Sequence, residues 1–193
     1  MYEKYFLVVD LEATCEENDR NYGNEIIEIG AVLLDAKGKQ IGEFDEFVRP
    51  INKPILTDFC MELTSIKQSD IDSAEPFTVV LQKFNNWLGD KAKYTIFCSW
   101  GYYDMNQIRN DCAIYNIDDK TLPWLVRRIS VKHQFSKLMN KPRCGMTKAL
   151  HILNIPHEGT HHRGIDDARN IAKILVHPDL FKKWTAIRRS DLS

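Results

Sequence analysis

A long hydrophobic run is the first feature that the sequence lacks. Ahead of Asp10, the segment MYEKYFLVV contains only five consecutive apolar or aromatic residues, from Tyr5 to Val9. A signal peptide needs an apolar region of roughly 7–15 residues and a membrane-spanning helix needs about 20. We therefore expect neither a signal peptide nor a membrane-spanning helix in this segment. We also expect no membrane partner and a cytoplasmic location.

Clustered cysteines are also absent. The chain has 5 cysteines, and no two of them stand in the Cys-x-x-Cys spacing that is typical of zinc and redox motifs. Their scatter argues against a disulfide framework and against a structural zinc site, and it favours a reducing compartment. The cysteines are Cys15, Cys60, Cys98, Cys112 and Cys144.

An excess of charge of one sign is absent too. The 26 Lys and Arg residues nearly balance 27 Asp and Glu residues, which gives a net charge of -1 and no global attraction for nucleic acid. A polyanionic partner would have to be held by a local patch or by bound metal ions. The 193 residues, 44% of them hydrophobic, predict one domain with a single good core.

Apolar segments near the N-terminus predict neighbouring β-strands. YFLVVDLEA is a β-branched run typical of a buried strand, and IGEFDEFVRP alternates as a half-exposed strand does. EIIEIGAVLLD lies between them and is followed by the turn KGK, so the three segments predict an antiparallel meander. YTIFCSW predicts another buried strand, and LVRRISVK a short strand or a loop.

Helical spacing follows the third strand. In DSAEPFTVVLQKFNNWLGD, apolar residues recur at helical intervals until Gly89, and LTDFCMELTSI has Thr57 or Asp58 as its N-cap. Further helices are predicted in DMNQIRNDCAIYNI, in MTKALHILNI, in IDDARNIAKIL and, after a break near Pro178, in residues 178–189. This order of elements predicts an α/β domain whose mixed sheet is covered by helices.

Asp10 and Glu12 are the first candidates for chemistry. They occupy positions i and i+2 at the end of a strand, so both carboxylates lie on one face and reach one cation. Most acidic pairs of this spacing are solvated surface, as at Glu17 and Asp19. A pair at the tip of the buried run FLVV is harder to explain in that way, and on the pattern alone both interpretations stay open.

Asp104 is the second candidate, because it follows a strand and opens a helix in SWGYYDMNQI. Taken alone, such an aspartate most often satisfies the free N–H groups of the first helical turn. The aromatic residues beside it, Trp100, Tyr102 and Tyr103, suit either core packing or stacking against bases.

The segment GTHHRGIDDARN offers two histidine–aspartate pairs with the same spacing of five residues, His161 with Asp166 and His162 with Asp167. The histidines lie in a loop, where they are usually exposed. However, loops also carry many catalytic bases, and a neutral imidazole near pH 7 suits that role.

Helix geometry distinguishes the two aspartates. At about 100° per residue, Asp167 lies at the margin of the apolar stripe that begins with Ala168. Asp166 lies on the other side, toward solvent, with Asn170 and Lys173. We therefore expect Asp167 to pack against the sheet and Asp166 to interact with the helix dipole.

Together these residues resemble the DEDD exonuclease superfamily with a histidine variant of its third motif. The motifs are DLE, WGYYD and HRGIDD, and the resemblance is closest to the Eri and KapD-like 3′–5′ exonucleases. It is carried by DLEATCEE, NEIIEIGAV, FVRPINKPILTDFCMELTSI, WGYYD and HHRGIDDARNIAKIL, from about Phe6 to about Leu175. The superfamily histidine precedes the last aspartate by five residues, which both pairs satisfy, so the helix-face argument selects His162 with Asp167.

The resemblance implies an RNase H-like mixed five-stranded sheet with helices on both faces. It implies one exonuclease domain over residues 1–193, with a catalytic core of about 5–177 and a C-terminal helix at 178–189. The implied reaction is metal-dependent removal of nucleoside 5′-monophosphates from the 3′ end of single-stranded or overhanging nucleic acid, with two Mg²⁺ or Mn²⁺ ions as cofactors.

The resemblance also implies residue roles. The metal ligands would be Asp10, Glu12, Asp104 and Asp167, and His162 would take the proton from the attacking water. Glu12, His162 and the backbone of Ala13 and Thr14 would hold the terminal nucleotide. Candidates for base contacts are Trp100, Tyr103 and Met105, and weaker candidates for phosphate contacts are Arg143, Lys148 and Arg163.

Two alternatives to an RNA-cleaving enzyme remain at this stage. One is a 3′→5′ exonuclease that acts on DNA, and the other is a non-catalytic RNase H-like module that binds RNA ends. The complete set of acids disfavours the module, because a pure binder has no need to concentrate four carboxylates against a polyanion. The oligomeric state does not follow from the sequence.

Overall fold

The computed structural model describes residues 5–19 and 22–185, and a mixed sheet forms its centre. The sheet has six strands in the order β4-β3-β2-β1-β5-β6. The strands are β1 (Tyr5–Ala13), β2 (Ile26–Leu34), β3 (Gln40–Arg49), β4 (Glu75–Pro76), β5 (Thr95–Ser99) and β6 (Arg128–Ser130).

Strand pairing confirms the expected antiparallel meander. Strand β1 pairs antiparallel with β2, β2 pairs antiparallel with β3, and β5 lies parallel to β1 on its other side. The segment LVRRISVK supplies β6, so the five expected strands are present. A sixth strand, Glu75–Pro76, adds two residues parallel to the end of β3. Two residues are too few to show the alternation by which a strand is predicted.

Helices pack on both faces of this sheet. They are α1 (Asp58–Thr64), α2 (Gln68–Asp72), α3 (Phe77–Leu88), α4 (Tyr103–Ile114), α5 (Val131–Met139), α6 (Met146–Ile152), α7 (Gly164–Leu175) and α8 (Pro178–Thr185). Short 3₁₀ segments cover Gly89–Tyr94, Asp119–Thr121 and Pro123–Leu125. None of the helices within the described ranges is both long and apolar enough to span a membrane.

Three predicted helix boundaries agree with the observed ones, whereas α4 and α6 each end three residues before their predicted segments do. Thr57 caps α1, since its side chain accepts a hydrogen bond from the amide of Cys60. Gly89 ends α3 with a positive φ of 51°. Helix α8 begins at Pro178, as expected, and residues 186–189 of the predicted C-terminal helix lie outside the described residues.

Two helices were not predicted, and both have weak signals. Helix α2 is only 5 residues long, too short for a periodic pattern. Helix α5 is 9 residues long and buries only Val131 and Phe135 fully, while Leu138 and Met139 at its end are partly buried. Its first residues read equally well as the continuation of a short strand.

Alternation along β1 determines which face of the sheet carries the acids. Phe6 and Val8 belong to the core beneath α5, α6, α7 and α8. Leu7 and Val9 belong to the opposite core beneath α3 and α4. Because a strand has a period of two, Asp10 and Glu12 continue the face of Phe6 and Val8, which is the face on which α7 lies.

Candidate active site

A close approach between a strand and a helix brings the first and last acidic motifs together. Gly30 lies opposite Asp10 in the β1–β2 register. A Cβ at Gly30 would lie 2.0 Å from the carbonyl carbon of Gly164, the first residue of α7. Any larger residue would push α7 off the sheet, so Gly30 allows the first turn of α7 to lie directly over the end of β1.

Asp104 reaches the same place from the other face of the sheet. The parallel pairing between β1 and β5 ends at Val8 and Cys98, so Leu11 lies beyond the ladder. The amide of Leu11 donates instead to Oδ1 of Asp104 at 3.2 Å. Asp104 is 5% exposed. This hydrogen bond holds the Asp104 carboxylate close enough to Asp10 and Glu12 to raise the pKa of both, which the sequence spacing did not show.

Asp167 completes the group from the first turn of α7. It is 4% exposed, and its Oδ2 accepts a hydrogen bond of 3.1 Å from the amide of His162. The predicted inward orientation of Asp167 is confirmed. Its role as a metal ligand remains a prediction.

The surroundings of Asp166 correct part of the helix-face argument. Asp166 is outward, as expected, and its carboxylate accepts from the amide of Thr160 at 2.9 Å and from Arg169 at 3.0 Å. Asn170, which was expected to face solvent, is fully buried. Its side-chain amide donates to the carbonyl of Glu158 at 2.8 Å and thereby holds the preceding loop. Helical spacing alone does not reveal such a loop contact.

The two histidines contact Asp167 in different ways. His162 has a left-handed backbone with φ of 61°, and ligand atoms of its ring, Glu12 and Asp167 all lie within 4.8 Å of one another. The ring of His161 stacks on that of His162 with centroids 4.0 Å apart. Nδ1 of His161 lies 2.9 Å from Oδ2 of Asp167, a contact that the sequence analysis did not expect.

Mutual repulsion and burial disturb the ionisation of these acids. Burial and then Asp104 and Glu12 raise the pKa of Asp10 well above its usual value. Burial, followed by repulsion from Glu28, raises the pKa of Glu12 to about 8. Burial also raises the pKa of Asp104 to about 6. The carboxylates are therefore costly to ionise without a cation among them.

The pKa of His162 shifts in the opposite direction. Burial and the neighbouring His161 lower the pKa of His162, and the carboxylate of Asp167 opposes them. His162 is therefore neutral near pH 7, and its imidazole is free to accept a proton.

The donor chemistry fits divalent metal ions. Four carboxylates meet here, those of the half-buried Asp10 and of the buried Glu12, Asp104 and Asp167. The pKa values of Asp10, Glu12 and Asp104 are raised, and oxygen ligands of this kind suit hard cations such as Mg²⁺ and Mn²⁺. A cation between them would remove the repulsion that raises those pKa values.

An open cleft of about 640 Å³ leads to these side chains. Its walls include the aromatic residues Trp100, Tyr102 and Tyr103, and also Lys132 and His133, which the sequence analysis missed. Both missed residues lie at the start of α5, the helix that was not predicted. Lys132 brings positive charge and His133 brings a third imidazole, beside those of His161 and His162, to the walls of this cleft.

Other predicted contact residues lie apart from this cleft. Met105 is 1% exposed and belongs to the core beneath α3 and α4. Ala13 and Thr14 are also buried, and the Thr14 hydroxyl accepts from the amide of Glu25 at 2.9 Å. The side chains of these three residues do not line the cleft walls.

The three basic candidates for phosphate contacts also differ in their position relative to the cleft. Arg163 donates to the buried carboxylate of Glu28 at 3.2 and 3.3 Å, so it holds the start of α7. Arg143 is exposed and donates to His133 at 3.0 Å on the wall of the cleft. Lys148 is exposed on α6 and does not line the cleft.

Comparison with known proteins identifies relatives over most of the chain. The family model described as "Exonuclease" (RNase_T) matches residues 7–175. The "3'-5' exoribonuclease 1" of Homo sapiens is 35% identical over 185 residues, which cover 91% of this chain and 52% of the human protein. The "3'-5' exonuclease eri1" of Schizosaccharomyces pombe is 30% identical over 200 residues, covering 89% and 67%. The chain thus spans about half the length of the human relative.

Solved structures share the fold. The nuclease domain of 3'hExo, described as a DEDDh family member bound to rAMP, has a TM-score of 0.88 and 30% identity, covering 100% of this chain and 98% of that one. A 3'-exonuclease solved with a histone mRNA stem-loop has a TM-score of 0.84 and 31% identity, covering 91% and 81%. The RNase H-like fold expected from the sequence is confirmed.

Proposed function

Because the chain belongs to the exonuclease family, we propose that it is a metal-dependent 3′→5′ exonuclease that releases nucleoside 5′-monophosphates. The observation that carries the proposal is the convergence of Asp10, Glu12, Asp104 and Asp167 from both faces of the sheet next to His162. The raised pKa values of Asp10, Glu12 and Asp104 support a role in holding cations. We place the exonuclease domain over residues 1–193, with its core at about 5–177, supported by the family match to residues 7–175.

The cofactors are two divalent ions, either Mg²⁺ or Mn²⁺, held by these four carboxylates. When bound, such ions neutralise charge on the scissile phosphate and lower the pKa of a bound water. The protein contributes the positioning: Leu11 holds Asp104 through its amide, and the amide of His162 holds Asp167.

His162 is the general base of the proposed reaction. Its pKa is lowered by burial and by His161, so the imidazole is neutral near pH 7 and accepts the proton of the attacking water. Its left-handed backbone places the ring over Glu12 and Asp167 while its own amide holds the Asp167 carboxylate.

The terminal nucleotide lies in the cleft, with Glu12 and His162 at its sugar end and with Trp100 and Tyr103 beside its base. Both aromatic residues line the cleft, and Tyr103 is 49% exposed and available for stacking. The backbone of Ala13 and Thr14 continues β1 past Glu12 and remains a candidate for sugar contacts. Met105 supports this wall from the core.

We propose single-stranded or overhanging RNA as the substrate, with DNA 3′ ends as the alternative. Support comes from relatives named as exoribonucleases and from neighbours solved with rAMP and with a histone mRNA stem-loop. A cytoplasmic location is part of the proposal, supported by the five cysteines, all of which are free in the structure.

Digestion of 5′-labelled RNA and DNA strands of one sequence tests the proposal. With Mg²⁺ or Mn²⁺, a ladder should shorten from the 3′ end and release 5′-monophosphates, and a chelator should stop it. A 3′-terminal phosphate should block digestion, because the site seats a free 3′-hydroxyl. Internal cuts in a circular strand would contradict an exonuclease, and tight binding without any product would indicate the end-binding module instead.

A further inference from the structure

A second group of ligand atoms meets at Asp167, formed with His157 and His161. Nδ1 of His161 lies 2.9 Å from Oδ2 of Asp167, and Nε2 of His157 lies 3.6 Å from Oδ1. Ligand atoms of the three residues are all within 4.8 Å of one another. Apart from Asp167, this group shares no residue with the acids at the end of β1.

We propose that His157, His161 and Asp167 form a site for one borderline transition-metal ion, with Zn²⁺ as its expected occupant. Two imidazoles and one carboxylate are a ligand set that suits Zn²⁺, usually with water in the fourth position. Mg²⁺ prefers oxygen ligands, so this set differs in metal preference from the carboxylate group.

The distances are close to those that the ion needs. Ligand atoms at 2.0–2.1 Å from a tetrahedral Zn²⁺ lie about 3.4 Å apart. Measured to the same oxygen, Oδ1 of Asp167, the contacts of His161 and His157 at 3.2 and 3.6 Å lie on either side of that value. The two imidazoles must approach each other, and their side chains, 25% and 48% exposed, have room to do so.

The unsatisfied nitrogen of His157 is an independent sign of a missing ligand. Nε2 of His157 is buried, yet it has no hydrogen-bond partner among the residues that the structure describes. Buried polar atoms are nearly always paired, so an unpaired ring nitrogen that faces a carboxylate suggests an absent cation.

The loop that carries both histidines is held in place before any metal binds. The side chain of Asn170 accepts a hydrogen bond from the backbone amide of Glu158 and donates one to its backbone carbonyl. Asp166 accepts a hydrogen bond from the amide of Thr160. Gly159, between the histidines, has φ of 77°, and a Cβ there would meet the Asp166 carboxylate at 2.3 Å. The buried Asn170 therefore fixes the spacing of His157 and His161 over Asp167.

Asp167 belongs both to the proposed Zn²⁺ site and to the carboxylate group, so Zn²⁺ binding should affect the proposed nuclease. A carboxylate engaged by Zn²⁺ with His157 and His161 is withdrawn from the group that includes Asp10 and Glu12. Zn²⁺ should therefore inhibit digestion that depends on Mg²⁺. The inhibition rests on the proposed function, whereas the binding of Zn²⁺ does not.

A titration of the full chain with Zn²⁺ against a chromophoric chelator tests the binding. Wild type should bind one tight equivalent, and Co²⁺ in its place should give the strong visible absorption of a tetrahedral site. His157→Gln and His161→Gln should each lose at least about 100-fold in affinity, since even a lost outer-shell partner costs 10- to 100-fold. His151→Gln, an exposed histidine on α6, is the matched control and should bind as wild type does.

Asp10→Asn separates this site from the carboxylate group, because it should keep the tight Zn²⁺ equivalent. Unchanged affinity in both His157→Gln and His161→Gln, or loss of the ion in Asp10→Asn alone, would overturn the proposal. In the digestion assay, inhibition of His157→Gln should require at least about tenfold more Zn²⁺ than inhibition of wild type, each measured against its own Zn²⁺-free rate. If Mg²⁺ supports no digestion at all, the proposed nuclease function fails. The titration still decides whether the Zn²⁺ site exists.

Discussion

Two groups of buried carboxylates lie side by side on β1 and β2 and differ in their partners. Glu25 accepts hydrogen bonds from the amides of residues 51–53 at 3.0, 2.8 and 2.8 Å. Glu28 accepts from Arg163 and from the amide of Gly164. Glu12 lies directly opposite Glu28 in the strand register, but burial and repulsion raise its pKa to about 8.

The difference separates acids that hold the fold from acids that are kept for a ligand. Glu25 ties the segment after β3 to the sheet, and Glu28 ties α7 to it, because both carboxylates are paired. Asp10, Glu12 and Asp104 face one another, and their repulsion costs stability in the metal-free protein. Such a cost is typical of functional sites, where stability is exchanged for activity.

The largest predicted effect is on turnover. Asp10→Asn and Asp104→Asn should each reduce metal-dependent cleavage below detection, because each removes ligand charge with little change in volume. Single-turnover digestion in Mg²⁺ and Mn²⁺ measures this, with the outward acid changed in Asp166→Asn as the matched control. Asp166→Asn should cost at most about 1 kcal/mol of stability through the lost helix-dipole interaction. Normal turnover in both Asp10→Asn and Asp104→Asn would refute the role of these carboxylates in holding the metal ions.

The histidine pair gives the next largest effect. His162→Ala should slow cleavage by roughly 10²–10⁴-fold, the usual contribution of a positioned general base, with metal binding largely kept. His161→Ala should stay within a few-fold of wild type, since the carboxylate that His161 contacts is also held by the amide of His162. Rates and Mn²⁺ affinities of both variants test this. If His161→Ala slowed cleavage more than His162→Ala does, His161 with Asp166 rather than His162 with Asp167 would be the catalytic pair.

A paired acid should behave in the opposite way. Glu25→Ala leaves the amides of residues 51–53 without their acceptor, and we expect a loss of about 1–3 kcal/mol in the free energy of unfolding. Cleavage per folded molecule should be retained. Urea denaturation and digestion at matched folded concentrations measure the two effects. A stable but inactive Glu25→Ala would remove the distinction between the groups.

The pH dependence of stability should be a smaller effect. The pKa of Glu12 is raised from 4.5 to about 8, so the folded state holds its proton more tightly than the unfolded state does. The stability that this gives is fully present below pH 4.5 and is lost as the pH rises toward about 8. In chelator, wild type should therefore lose more stability than Glu12→Gln between these limits. Parallel curves for the two proteins would show that Glu12 titrates normally.

The sequence allowed the fold and the acidic positions to be predicted, because periodicity is local. The parity of β1 and the stripe of α7 are visible in the printed sequence, and they place Asp10, Glu12 and Asp167 on one face. The hydrogen bond from Leu11 to Asp104 and the contacts of Asn170 and of Arg163 join distant parts of the chain. Local sequence spacing does not reveal such contacts. For the same reason, only the structure shows that Lys132 and His133 line the cleft and that His161 contacts Asp167.

We propose above all that metal ions compensate the mutual repulsion of the acids at the end of β1. The most direct test is the unfolding free energy of wild type and Asp10→Asn at pH 8, in chelator and in Mn²⁺. In chelator, Asp10→Asn should be the more stable protein, because one repelling charge is gone. Mn²⁺ at 100 times its dissociation constant should stabilise wild type by about 2.7 kcal/mol and Asp10→Asn by much less. An Asp10→Asn protein that is less stable in chelator, or that gains as much from Mn²⁺ as wild type, would contradict the claim.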